Sequence, residues 1–297
     1  MPLKTSLTSF ILTDCKIDDL FVEILTESCP NLKKISFDQC QTIKDQCLQH
    51  IGDNCPLLED LNLNQRKPEI NITLPPETSI SDEGLEKIAK GCPRLKRLLV
   101  NYCNNVGDSG IMSIAEHCPM LLVLETEGCS KVTEDSMECI ASKCQWLRKV
   151  NIRHCKYITF HSINFLIRKC SYLEKLDLTL CGNNQFEQTE NDSLSSIAKY
   201  GEKLKVLTIT GNKQITIEGI KEVICSCDSL TQIDFTVGSI VRVLESQVTS
   251  FINNHDQKRI FMRTGRGMGH ECQIYDMNED YYNVQLYING LHSRFTI

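Results

Sequence analysis

The chain is expected to fold as an α/β solenoid, a parallel sheet backed by one layer of helices. Three observations predict it. First, residues 92–169 are three units of 26 residues with no gap between them, opening at Cys92, Cys118 and Cys144. An internal period of this length signals a stacked-repeat architecture. Second, unit starts recur at Cys29, Cys55, Cys92, Cys118, Cys144, Cys170, Gly201 and Cys227, and the third residue after each is leucine, from Leu32 through to Leu230. Third, the apolar spacing changes inside each unit. It runs in steps of two at Leu61 and Leu63 or Val150 and Ile152, which is a strand with one buried face. It then runs in steps of three and four at Leu85, Ile88 and Ala89 or Ile111, Ile114 and Ala115, which is a helix. Neither element can bury its apolar face alone, so units stack and share one core.

The elements follow in order. A weaker first unit holds Leu7, Phe10, Leu12 and Cys15 in strand phase, then a helix with Leu20, Ile24 and Leu25 as its expected buried residues. Asp82 and Asp108 precede the helical pattern of their units and are expected to cap those helices. Two units are lengthened. The first insertion, Gln65 to Ser79, holds three prolines and reads as a loop. The second, Gly182 to Asp192, leaves at the same place, with three units between. Both belong on one rim of the solenoid, as binding loops or as tolerated surface insertions. The last repeat strand is LTQIDF, followed by an expected helix, SIVRVLESQVTSFINN. The expected domains are therefore a solenoid over 1–255 and a β-rich cap over 256–297, with strands in KRIFMR, ECQIYDM and NVQLYIN. Such a cap would cover the edge of the last strand.

The repeating unit, CPxLxxLxLxxC followed by DxGLxxIA, resembles the cysteine-containing leucine-rich repeat. The likeness spans roughly residues 4 to 255. This repeat is typical of F-box/leucine-rich-repeat ubiquitin-ligase receptors and of antagonist-of-mitotic-exit proteins. The resemblance implies a horseshoe with a concave parallel sheet and no enzymatic activity. It also implies substrate recognition in SCF-type, ubiquitin-dependent protein degradation. The alternative is a ubiquitin-independent scaffold, inhibitor or small-GTPase regulator. These 297 residues hold no F-box, so a Skp-type adaptor and cullin complex would be reached indirectly or through such a segment elsewhere.

Composition narrows the classes. Net charge is −6, which does not favour nucleic acid or an anionic membrane. No run of 18 apolar residues occurs, so no membrane-spanning helix is expected. Seventeen cysteines recurring at repeat positions, without a secretion signal, are expected as thiols in a cytoplasmic or nuclear protein. Cys225-Ser-Cys227, His154-Cys155 and His270-Glu-Cys272 have no second pair at zinc-site spacing, so no metal is expected. The glycine-rich run Thr264 to Gly269 precedes no helical pattern, so no phosphate cradle or other cofactor site is expected.

The positive signal lies on the concave face. Residues that alternate with the buried strand positions point away from the helices. In the central units they include Arg97, Asn101, Glu125, Glu127, Asn151, Arg153 and Asp177, with Tyr102 and His154 at the strand ends. Arginine and tyrosine are enriched where proteins bind one another. This set is the expected contact surface for a protein partner. Its charges also alternate from strand to strand and can pair among themselves.

Overall fold

The computed structural model describes residues 6–67, 80–182, 190–210 and 217–235, and three strand segments beyond them. The repeat order is β1 (Ser9–Thr13), α1 (Asp19–Ser28), β2 (Lys34–Asp38), α2 (Asp45–Asn54), β3 (Asp60–Asn62) and α3 (Asp82–Gly91). It continues with β4 (Arg97–Leu99), α4 (Asp108–His117), β5 (Val123–Glu125), α5 (Glu134–Lys143), β6 (Lys149–Asn151) and α6 (Phe160–Lys169). The last repeats hold β7 (Lys175–Asp177), α7 (Glu190–Tyr200), β8 (Val206–Ile209), α8 (Ile217–Ser226) and β9 (Gln232–Phe235). All strands from β1 to β9 are parallel and lie in sequence order in one sheet. Each helix packs on the next.

Register is exact across the repeats. Leu61, Leu98, Leu124, Val150, Leu176, Leu207 and Ile233 stand side by side, and all are buried. Each lies at the same offset from its unit start, so the repeat keeps one apolar column under the sheet even where insertions lengthen a unit. The leucine three residues after each unit start forms a second buried column, from Leu32 to Leu230.

The cysteines form two ladders of hydrogen bonds between repeats. The opening cysteines each follow a helix as its C-cap, as Cys92, Cys118, Cys144 and Cys170 do. The Cys118 thiol donates to the Cys92 carbonyl at 3.5 Å, Cys144 to Cys118 at 3.6 Å, and Cys170 to Cys144 at 3.7 Å. Carbonyls at a helix end have no partner within the helix, and here the next repeat supplies one. The repeat spacing marks these thiols but not their acceptors, because the neighbouring repeat's carbonyl is 26 residues away in the chain. The second cysteines form the other ladder: Cys103 donates to the Leu63 carbonyl at 3.4 Å, Cys129 to Val100 at 3.1 Å, and Cys155 to Thr126 at 3.2 Å. Burial pushes Cys118, Cys144, Cys155 and Cys170 up to about 12. They remain protonated donors and poor nucleophiles at neutral pH. No disulfide joins the described cysteines.

Three local expectations are corrected. The N-caps of α3 and α4 are Ser81 and Gly107, not Asp82 and Asp108. Those aspartates open the helices and accept from the cap of the following repeat. Asp82 takes the Gly107 N–H at 2.7 Å, and Asp108 takes the Thr133 N–H at 2.8 Å. In α1, Leu20 and Ile24 are exposed and Val22 and Thr26 are buried. Among the described residues α1 packs only on α2, so an apolar position that faces away from α2 is exposed. The second insertion is shorter than expected, because α7 begins at Glu190.

The proposed helix SIVRVLESQVTSFINN and the segment ECQIYDM lie outside the described residues. Within KRIFMR, β10 (Phe261–Arg263) pairs in parallel with β9. Within and beyond NVQLYIN, β11 (Gln285–Ile288) and β12 (Leu291–Arg294) form an antiparallel hairpin.

Cys129→Ala should lower the urea midpoint by an amount equivalent to about 1–2 kcal/mol, through lost packing and a lost donor. Cys139→Ala, a half-buried thiol outside both ladders, should cost about 0.5 kcal/mol or less. Equal losses for both variants would show that the ladder contributes nothing beyond volume.

Candidate functional site

The face of the sheet opposite the helices carries three parallel columns of side chains, at the fifth, seventh and ninth residues after each unit start. The structure divides the expected contact residues among them. In the first column Arg97 pairs with Asp60 at 3.2 Å, and Lys34 reaches the same carboxylate at 3.5 Å. In the second, Glu125 accepts from Asn101 at 2.9 Å and pairs with Lys149 at 2.6 Å. In the third, Glu127 is a hub. It accepts from the Tyr102 hydroxyl and from the Asn151 amide at 3.4 Å, and its Oε1 lies 3.5 Å from Arg153 Nε. The Arg153 contact is an ion pair without hydrogen-bond geometry, and that Nε makes no other hydrogen bond.

Seven of the nine expected residues therefore meet in one neighbourhood over β4, β5 and β6: Asn101, Tyr102, Glu125, Glu127, Asn151, Arg153 and His154. Arg97 stands apart with Asp60. Asp177 caps its own strand end, accepting the Thr179 N–H at 2.9 Å. The face is more enclosed than alternation suggests. Asn101 and Glu125 are buried, as are Ser36, Thr179 and Asp234. Side chains from adjacent strands cover one another, a packing that alternation within a single strand does not reveal.

The strand ends share a strained turn. Asp14, Gln39, Tyr102, His154 and Leu180 have φ between 52° and 60°, each just before the second cysteine of its unit. The left-handed conformation is costly for residues with a Cβ. In the fifth unit the position is Gly128, φ 74°, and a Cβ there would lie 2.6 Å from the Tyr102 ring. The glycine thus makes room for Tyr102 to lie across to Glu127. Burial, followed by the bond to Glu127, raises the Tyr102 hydroxyl well above its usual value, so it remains a donor. His154 Nε2 is buried and has no hydrogen-bond partner. Burial first, then the charges of Arg153 and Lys67, lower the His154 pKa from its ordinary value.

The first insertion contributes residues that the pattern did not single out. Arg66 pairs with Asp14 at 2.5 Å, two repeats away. Together with Lys67 it lines a groove of about 490 Å³ that also touches Asp38, Gln39, Asn64 and Tyr102. Nothing in the repeat spacing marks those cations, because they follow the strand in a lengthened unit. Among the described residues, no cluster of three metal-ligating side chains forms, and no helix is long and apolar enough to cross a membrane.

These features settle the architecture. The chain is built of leucine-rich repeats. The Leucine Rich repeat family matches over residues 91–115, the fourth repeat with its strand and most of its helix. No curated protein matches the sequence. Among solved structures, a chain from the crystal structure of the Rad7 and Elc1 complex in yeast superposes with a TM-score of 0.56 at 18% identity. The match covers 79% of this chain and 65% of that one, so this leucine-rich-repeat chain spans about two thirds of its structural neighbour.

The ring of His154 gives a pH test. The folded state holds it neutral to lower pH than the unfolded chain, where a histidine titrates near about 6.5. Below that value the unfolded chain takes up a proton that the folded chain refuses. Stability should therefore fall as pH drops from about 6.5 toward the folded-state pKa. His154→Gln should flatten that part of the urea-midpoint profile, and an NMR titration should place the ring's midpoint below the ordinary value. A midpoint at or above about 6.5 contradicts the burial of this ring.

Proposed function

We propose that this chain is a protein-binding module that holds its partner on the open face of the sheet, over β4 to β6. The observation that carries the reading is the neighbourhood around Glu127. Tyr102, Asn151 and Arg153 converge there on one carboxylate, so a large mixed polar and aromatic surface is already ordered before any partner arrives. A preorganised surface loses less side-chain entropy on binding. The two lengthened units depart from the strand ends on the same rim, after β3 and after β7, on either side of this face.

The finer reading is substrate recognition in SCF-type, ubiquitin-dependent degradation. It is supported by the likeness of the repeat to that of F-box/leucine-rich-repeat receptors. The structural neighbour, solved as a complex of Rad7 with Elc1, also fits a repeat protein that works in an assembly. In this reading the module is non-enzymatic and reaches a Skp-type adaptor and a cullin through another segment or another chain. A cytoplasmic or nuclear location follows from the same reading.

The test is purification of the tagged chain from cells of its source, followed by mass spectrometry, for the native sequence and for Arg153→Glu. Adaptor and cullin should co-purify with both. A further set of proteins should be reduced about tenfold or more by the charge reversal, since it places two like charges together at the hub. Enrichment of another partner without adaptor or cullin would overturn the degradative role. Unchanged recovery of every protein with Arg153→Glu, in a chain that keeps its circular dichroism, would overturn the proposed face.

A further inference from the structure

A second surface lies on the opposite rim, where helices end and strands begin. The second residue after each unit start sits there in an exposed turn. In three consecutive repeats it is Met120, Trp146 and Tyr172, and in the next it is Lys203. Trp146 is the only tryptophan in the chain, yet it is 56% exposed, and Met120 is 55% exposed. The Trp146 and Tyr172 rings stack with centroids 5.1 Å apart, close to the spacing of neighbouring strands. Lys203 Nζ sits 3.8 Å over the Tyr172 ring. The result is a stack, Trp–Tyr–Lys, set by the repeat itself, with Met120 at the same offset one repeat earlier.

The surroundings are basic. Arg148 and Lys205 share a single carboxylate, Glu174, at 3.3 and 2.9 Å, and both cations stay more than half exposed. Arg168 and Lys199 lie on the Tyr200 ring, at 5.5 and 5.1 Å from its centroid. Helix C-termini along this rim favour cations, which accounts for some of the charge. That effect gives no reason to leave a tryptophan in water. Exposed Trp and Tyr beside arginine are the composition of a binding hot spot. The occupant must bring negative charge for the cations and an apolar side chain for the rings. The whole chain carries −6, so a long polyanion such as nucleic acid would be repelled beyond this rim. A short acidic segment meets only the basic part.

We propose that the rim formed by Trp146, Tyr172 and Lys203 docks an acidic protein segment carrying one aromatic or aliphatic anchor. The anchor extends the stack at Trp146, and flanking carboxylates pair with Lys203, Arg148 and Lys205. This site is separate from the open face of the sheet and does not depend on it.

The experiment is selection of random peptides displayed on phage against the purified chain. The most enriched peptide is then synthesised and titrated while the emission of Trp146 is followed. Enriched peptides should be net acidic around an apolar residue, and binding should shift the emission to the blue. Trp146→Ala and Lys203→Glu should each weaken the peptide about tenfold or more, measured by anisotropy of the labelled peptide. Both side chains are exposed, so both variants should keep the native circular dichroism. Replacing the peptide's acidic residues by lysine should abolish binding. The proposal is overturned if no peptide is enriched, if enriched peptides are not acidic, or if their affinity survives both variants. Tighter binding of oligothymidylate than of the peptide would assign the rim to single-stranded nucleic acid and also overturn it.

Discussion

The repeat stack depends on thiols that donate across it. The carbonyl at each helix cap accepts the N–H of the leucine three residues on, and the next repeat's cysteine thiol adds a second donor. Cys118, Cys144 and Cys170 extend this chain without a break. A second run, through Cys103, Cys129 and Cys155, does the same where the strands end. Each thiol is small enough to be buried and polar enough to pair with a carbonyl. A larger apolar side chain would push the repeats apart, and a smaller one would leave a cavity and remove the carbonyl's second donor. Where the opening residue is Gly201, the ladder has no donor at that step. Cys227 then reaches the Ile197 carbonyl at 3.4 Å.

Even repeat spacing has a consequence on the other side of the sheet. Side chains at one offset from their unit starts stand in line, so a carboxylate can be placed between groups from both neighbouring repeats. Glu127 does this with Tyr102 on one side and Asn151 and Arg153 on the other. Glu125 does it with Asn101 and Lys149. The charges on the face are therefore largely spent on one another. A partner gains less from any single ion pair than from fitting an ordered surface, and removing one member would leave the others without their acceptor. On the opposite rim the same spacing stacks Trp146 on Tyr172, with Lys203 over the tyrosine, and leaves Trp146 more than half exposed.

Most of the fold was legible because it repeats. An eightfold leucine at fixed phase and a switch from period two to period 3.6 are strong signals, and the buried columns follow from them. What could not be read were contacts between repeats. Asp82 and Asp108 looked like caps because they stand at helix starts, but their acceptor oxygens serve the next repeat. Leu20 and Ile24 had the right spacing for burial, but among the described residues α1 packs only on α2. The face residues were legible as a set from alternation. Their grouping around Glu127 was not, since it depends on the left-handed turn at Tyr102 and on the room that Gly128 leaves. The exposed ladder of Met120, Trp146 and Tyr172 was passed over because large apolar residues are ordinarily assigned to the core. Its signal was a repeated offset with large apolar or aromatic residues in three consecutive units, Met120, Trp146 and Tyr172.

The central claim is that the ordered face over β4 to β6 is where a partner sits. Hydroxyl-radical footprinting of the chain, alone and with its co-purified partner, tests it most directly. The account predicts that Leu99, Tyr102 and His154 lose reactivity on complex formation, while Phe165 and other helix-side residues keep theirs. Protection confined to the helices, with Tyr102 and His154 as reactive as before, would contradict it.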